Sequence, residues 1–460
     1  VPPWRRTRSA VRATTRLRQN APMPEPTVDT LITDLDSDDT AVRVAARDAL
    51  QQRGTAAVGP LVTALARPAS VRASAMYTVT LQRLGRTAFQ AVVAALAAEA
   101  QSDARSTVAK RLSHVLRGFG PDHLADHVGE LHHESPAVRA AVARSIGECG
   151  PAALPSAEQL VPLLADADRS VRDSAGLALV ALGADVVPVL RQVRRSGPGG
   201  CRRGALATLA ELVDPRELDP ADLAAIRRLI AVKQLDDSPQ QLTACFLAWI
   251  AVSTGDQAGL LDLLGLSDPE PATFVLGTAA TDSDSHDFRH GPPYPQYARV
   301  FVTPELDGWT LLVGRWCSPI DDERSDDVAR VCQELSARYG AAQAYFFGAR
   351  NDGSAWLVAE DGVILRRGAS DYEDLAGEPD WEIGEPLPFE RQERDRLVAD
   401  GADTEYEWEF ALMEMAPSLA GALSVNPLEV GAATSVEGHG LLALTPYGAV
   451  HGVPPGALPI

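Results

Sequence analysis

The sequence predicts an α-solenoid of helical hairpins followed by a smaller α+β domain. Three observations carry this: a self-similarity that returns roughly every 30 residues, an apolar content of 45% with only 5% aromatics, and a change of pattern at Ser267-Asp-Pro-Glu-Pro271. At 460 residues the chain exceeds one ordinary domain. Its skew toward Ala, Val and Leu suits close helix–helix packing better than a β-sandwich.

The repeats come first in the argument. Val42-Arg43, Val71-Arg72, Ala104-Arg105, Val138-Arg139 and Val171-Arg172 recur along the chain and are taken to occupy one repeat position. Each pair opens an amphipathic helix: Val138, Ala141, Val142, Ser145 and Ile146 form one apolar stripe, and Val171, Ala175, Ala178, Leu179 and Leu182 another. Gly54, Gly85, Gly120, Gly150 and Gly183 follow at helix C-caps, where positive φ is free of Cβ strain. A second apolar stretch then completes each hairpin, as in Val58-Leu61-Val62-Leu65, with Pro60 or Pro188 near its first turn. A lone hairpin cannot bury both faces, so neighbours must stack. Looser helices at 203–213 and 221–232 follow, and Leu242, Cys245, Phe246, Trp249 and Ile250 read as a last helical stripe that closes the array. The stretches 166–179 and 36–46 resemble HEAT repeats, and more narrowly the short repeats of phycobiliprotein-lyase-like HEAT proteins. That resemblance implies a binding solenoid over residues 28–265 and is nearly silent on function; no feature points to bilin chemistry.

After the prolines the pattern changes. Residues 266–296 read as a linker with an entry strand at Thr273 to Leu276 and a polar loop, and 297–460 as the α+β domain. Arg299 to Val302 and Trp309 to Val313 flank Asp307-Gly308, a hairpin signal; strands at 356–359 and 363–366 flank Asp361-Gly362. A helix is expected at Val328 to Tyr339, a strand at Ala344 to Phe347 and a late helix at Glu407 to Leu423. Residues 1–27 form either an arginine-rich flexible arm or, before Met23, mis-called upstream sequence.

A net charge of −20 and a pI near 4.9 oppose a phosphate backbone, so nucleic acid is not the expected partner. No run of apolar residues is long enough to span a bilayer. The widely spaced Cys149, Cys201, Cys245, Cys317 and Cys332 contain no CxxC pair and fit a reducing cytoplasm. His123, His127, His132 and His133 lie near Glu130 and Glu134 but in the wrong order for a zinc-protease motif, so they are expected to be solvated helix residues. The Asp282–His290 loop is expected to be linker chemistry, and the repeated arginines to pair with Asp36, Asp39, Asp166 and Asp168. Gly348 to Gly353 is a turn without the order of a phosphate loop.

No catalytic, cofactor-binding or metal-ligating residues are assigned, and no cofactor. Trp309, Trp316, Tyr345 and Trp356 are candidates for a partner-binding face, against a competing place in the core. The function expected is a protein-interaction scaffold or regulator with a basic protein partner and an undetermined oligomeric state. The C-terminal part loosely resembles small bacterial α+β proteins that act as immunity or antitoxin partners, without a diagnostic motif. The alternative is an enzyme, lyase-like or a hydrolase, with a site on the concave solenoid face or in a C-terminal cleft.

Overall fold

The computed structural model describes residues 25–103, 105–286, 293–349, 352–370, 382–401, 405–454 and 458. The N-terminal arm, Ala104 and the end of the Asp282–His290 loop therefore lie outside the described residues. Two compact units divide between Cys149 and Gly150.

In the first unit, α1 (Val28–Asp34) leads into α2 (Thr40–Arg53), α3 (Thr55–Ala66), α4 (Val71–Arg83), α5 (Arg86–Asp103), α6 (Thr107–Arg117), α7 (Leu124–Gly129) and α8 (Pro136–Glu148). First helices lie side by side, α2 on α4, α4 on α6 and α6 on α8, while α3 lies beside α5. Leu50, Leu61, Leu81, Phe89, Leu96, Leu112, Val115, Val142 and Ile146 fill the interior. The hairpin expectation holds, with Pro60 placed inside α3 rather than in its first turn.

Helix caps set the true repeat frame. Asp39, Ser70 and Ser106 accept hydrogen bonds from first-turn amides as N-caps of α2, α4 and α6, and Ser135 is the N-cap of α8. Counted from those caps, Val42 and Val138 correspond to Ala73 and Ala109, and Val71 stands two residues early, largely exposed. The dipeptides thus do not all share one position; alanine takes the inward place in two repeats.

In the second unit the helices continue as α9 (Ala157–Leu160), α10 (Arg169–Ala181), α11 (Val187–Ser196), α12 (Gly199–Leu212) and α13 (Pro220–Gln234). All five hairpin glycines have φ between 54° and 85°, which at Gly183 lets the chain leave α10 and re-enter a helical turn within three residues.

The repeats stop at α13. Phe246–Val252 is not the closing helix but a strand, β1, central to an antiparallel sheet. The other strands are β2 (Ser267–Pro271), β3 (Arg299–Leu306), β4 (Trp309–Val313), β5 (Ala341–Gly348), β6 (Ser354–Glu360), β7 (Val363–Ala369), β8 (Val436–Glu437) and β9 (Leu441–Leu444), in the order β2-β9-β3-β4-β1-β5-β6-β7, with β8 paired to β3. Sheet residues thus begin before the expected limit at 265. The two prolines that suggested a linker sit in edge strand β2, where a missing N–H is tolerated.

After α14 (Gln257–Leu263), Thr273 to Leu276 opens a helix, not a strand: Thr273 caps α15 (Phe274–Ser285) by accepting from the Leu276 amide. They are followed by α16 (Ser325–Tyr339), α17 (Pro388–Ala399), α18 (Glu405–Met413), α19 (Met415–Leu423) and α20 (Pro446–His451). The β3–β4 and β6–β7 turns carry positive φ at Asp307, Gly308, Asp361 and Gly362, as their Asp-Gly sequences require. Helix α16 packs on β1, β5, β6 and β7 over Val252, Ala342, Ala344 and Leu357; α19 packs on β5 and β6, and α15 on β3.

Candidate functional site

The sheet register decides the aromatic candidates. Trp249 pairs with Tyr345 and Tyr345 with Trp356, so three large rings form a row across β1, β5 and β6. Trp249 and Tyr345 stack at 5.0 Å, and all three rings are fully buried. Trp316 is buried too, with the Arg324 guanidinium 4.6 Å from its ring centre. Trp316, Tyr345 and Trp356 are therefore core residues, not a recognition face; only Trp309, half-buried on β4, keeps an accessible edge.

The polar candidates resolve in the same way. His127 is completely buried against Phe89, 4.9 Å away, and neither ring nitrogen has a hydrogen-bond partner among the described residues. His123 instead bonds Asp126 at 2.9 Å, His133 accepts from the Ser135 amide and His132 is exposed. The four histidines point to different tasks, and His127 is not the solvated residue expected. From the Asp282–His290 segment, Asp282 to Ser285 form the last turn of α15, where buried Asp284 holds buried Arg299 through two bonds of 2.7 and 2.8 Å.

The repeat arginines bind main-chain carbonyls as well as carboxylates. Arg43, Arg139 and Arg172 each donate to the main-chain carbonyls six and five residues earlier: Ser37 and Asp38, His133 and Glu134, Asp166 and Ala167, all within 2.7–3.0 Å. Each fastens the loop that delivers its own helix. Arg72 forms an ion pair, reaching Asp38, between the expected Asp36 and Asp39, at 2.6 Å.

Repeated hairpins, glycine turns and a recurrent arginine clamp thus make up a helical repeat. Residues 125–210 match the HEAT repeats family. The HEAT match does not extend past residue 210, and no curated protein matches the chain. Among solved structures the chain is similar to the E. coli protein YibA, at 17% identity over 45% of this chain and 75% of that one, TM-score 0.22. It is similar to a designed armadillo repeat protein in complex with the peptide (KR)4, at 18% identity over 40% and 98%, TM-score 0.20. A third is the CpcE and CpcF complex of phycocyanin lyase from Nostoc sp. PCC7120, at 17% identity over 46% and 73%, TM-score 0.18. At TM-scores this low the likeness goes no further than repeated helices.

Two features of the HEAT-like helices and their neighbours were not singled out by sequence. The first is the outer face of α3 and α5. Ala56, Gly59 and Thr63 on α3 and Gln90, Ala94 and Ala98 on α5 are exposed at helical spacing, and none is charged. Helix α3 contains no charged residue at all, which was the available signal. The second is a cavity of about 280 Å³ between α13 and the β2–β9 edge, at the lower limit of small-molecule sites. Leu223, Ile226, Ile230, Leu442 and Leu444 line it together with Arg216, Arg227 and the buried Arg299. Each of these arginines is matched by a carboxylate, from Asp214, Glu270 and Asp284 respectively.

Proposed function

We propose that the chain is a protein-interaction scaffold whose HEAT-like hairpins present a recognition face on α3 and α5. The observation that carries this reading is the uncharged surface of small residues at Ala56, Gly59, Thr63, Ala94 and Ala98 in a chain of net charge −20. Covering such a face desolvates no ion and immobilises few rotamers, the two main costs of association. The acidity of the whole chain supports a basic protein partner, steered by the long-range field. An immunity- or antitoxin-type role, in which the chain covers a basic protein, is the specific form that this charge favours. All five cysteines are free thiols, in keeping with action in a reducing compartment. Among the described residues no single helix is long and apolar enough to cross a membrane.

Affinity purification from the native host, run in parallel with wild type and a Gly59→Arg/Ala94→Arg variant, tests the reading. Wild type should retain a stoichiometric partner and the variant should lose it at unchanged Tm. The cavity beside α13 supports a second reading, a small-molecule site. A small ligand that raises Tm, with no protein recovered by either chain, would favour that reading instead.

A further inference from the structure

Helix α18 breaks the rule that an apolar helix is covered. Its sequence, Glu-Tyr-Glu-Trp-Glu-Phe-Ala-Leu-Met, places apolar residues all around the axis, a pattern proper to a buried helix. Yet none of residues 406–413 is buried. Tyr406 and Phe410, four residues apart and so on one face, are 73% and 50% exposed. The neighbouring α17 adds Val398 at 52% exposure, one turn beyond Arg394, whose guanidinium lies 5.0 Å from the Trp408 ring centre. Two exposed aromatics on one face of α18, with an exposed valine on the α17 helix that packs against it, are the kind of apolar exposure that marks an interaction site.

Charge selects the occupant. The stretch 400–414 contains Asp400, Asp403, Glu405, Glu407, Glu409 and Glu414 and no Lys, Arg or His. The arginines of α17 are engaged locally: Arg391 donates to the Pro386 carbonyl, Arg394 covers Trp408, and Arg396 pairs with Glu393 and Asp400. A second copy of the chain docked by the same patch would set these carboxylates against their equivalents, which costs affinity. We propose that the α17–α18 hairpin binds a basic amphipathic segment of a protein partner, its apolar side chains covering Tyr406 and Phe410 and its Lys or Arg residues meeting Glu409 and Glu414. The inference rests on the scaffold reading in that the chain acts by binding, but it uses a surface separate from α3 and α5.

The test is fluorescence anisotropy of a labelled synthetic amphipathic helix of leucine and lysine, titrated with the full chain at physiological salt, against a leucine–glutamate counterpart. The lysine peptide should bind and the glutamate peptide should not. A Tyr406→Ser/Phe410→Ser variant should bind the lysine peptide about tenfold more weakly or worse, the loss typical of central aromatic contacts, with Tm unchanged. The Gly59→Arg/Ala94→Arg variant should bind it as wild type does, so that failure here is separable from failure of the α3–α5 face. Equal binding by wild type and the serine variant would show attraction to the acidic chain at large and overturn the proposal. So would binding of the glutamate peptide, or a dimer in sedimentation that the serine substitutions abolish.

Discussion

Asp284 and Arg299 show how a residue that looks like chemistry in the sequence can be a structural necessity. Both side chains are almost wholly buried and joined by a two-point ion pair, and removing one partner of such a pair strands the other charge in a low-dielectric interior. Asp284→Ala should destabilise the chain by about 3–5 kcal/mol, whereas Asp284→Leu/Arg299→Met should recover most of that loss; paired denaturant melts measure both. His127 makes a pH-dependent statement. Burial, aided by nearby His123 and opposed by Asp126, pulls its pKa from 6.5 to about 4. The unfolded chain therefore takes up the proton first as pH falls. This residue's contribution is intact above pH 6.5 and is lost progressively down to about pH 4, a change of about 3 kcal/mol for a shift of that size. His127→Leu, which removes two unpartnered nitrogens, should raise stability and flatten the slope of unfolding free energy between those pH values. An unchanged slope would assign the acid sensitivity to other groups.

At the scale of elements, legibility followed periodicity and failed where two periods coincide. The first-helix stripes, the glycine turns and both Asp-Gly hairpins stand where the sequence places them because each is set by local rules. β1 misled because Leu242, Cys245, Phe246, Trp249 and Ile250 match a helical stripe, while Phe246–Val252 is apolar at every position. A strand covered on both faces has no alternation to betray it. Thr273 to Leu276 misled in the opposite sense: β-branched and aromatic residues suggested a strand, and the decisive signal was the Thr273 hydroxyl capping a helix. The Val-Arg dipeptides located the repeats but not their frame, because the caps at Asp39, Ser70, Ser106 and Ser135 set it. Of the aromatic candidates, composition could not separate core from surface; the cross-strand register of Trp249, Tyr345 and Trp356 did. The exposed faces of α3 and α18 were visible only as a missing charge and a missing polar face, signals that gain meaning once burial is known.

At the scale of the second unit, the sheet is assembled from distant parts of the chain. β1 supplies its centre, and β9, nearly two hundred residues later in sequence, is inserted between β2 and β3. Leu441 and Leu442 pair with Pro271 and Glu270 on one side and with Val302 and Phe301 on the other. The Gly440 carbonyl accepts from the Gln234 side chain at the end of α13 and from the Ala272 amide. Removing the chain from Val436 onward would thus delete β8 and β9, leave β2 without its ladder partner, and expose the main chain of β3. It would also open the cavity wall formed by Leu442, Ala443 and Leu444. Such a truncation should make β2, β3 and α13 exchange amide hydrogens rapidly, while α16 and the β1–β5–β6 core, whose pairings lie wholly upstream, keep their protection. Equal loss of protection across the sheet would mean that β9 is required for the whole unit to fold. Continued protection of β2 would mean that its packing against α13, including the Arg227–Glu270 pair, holds it without β9.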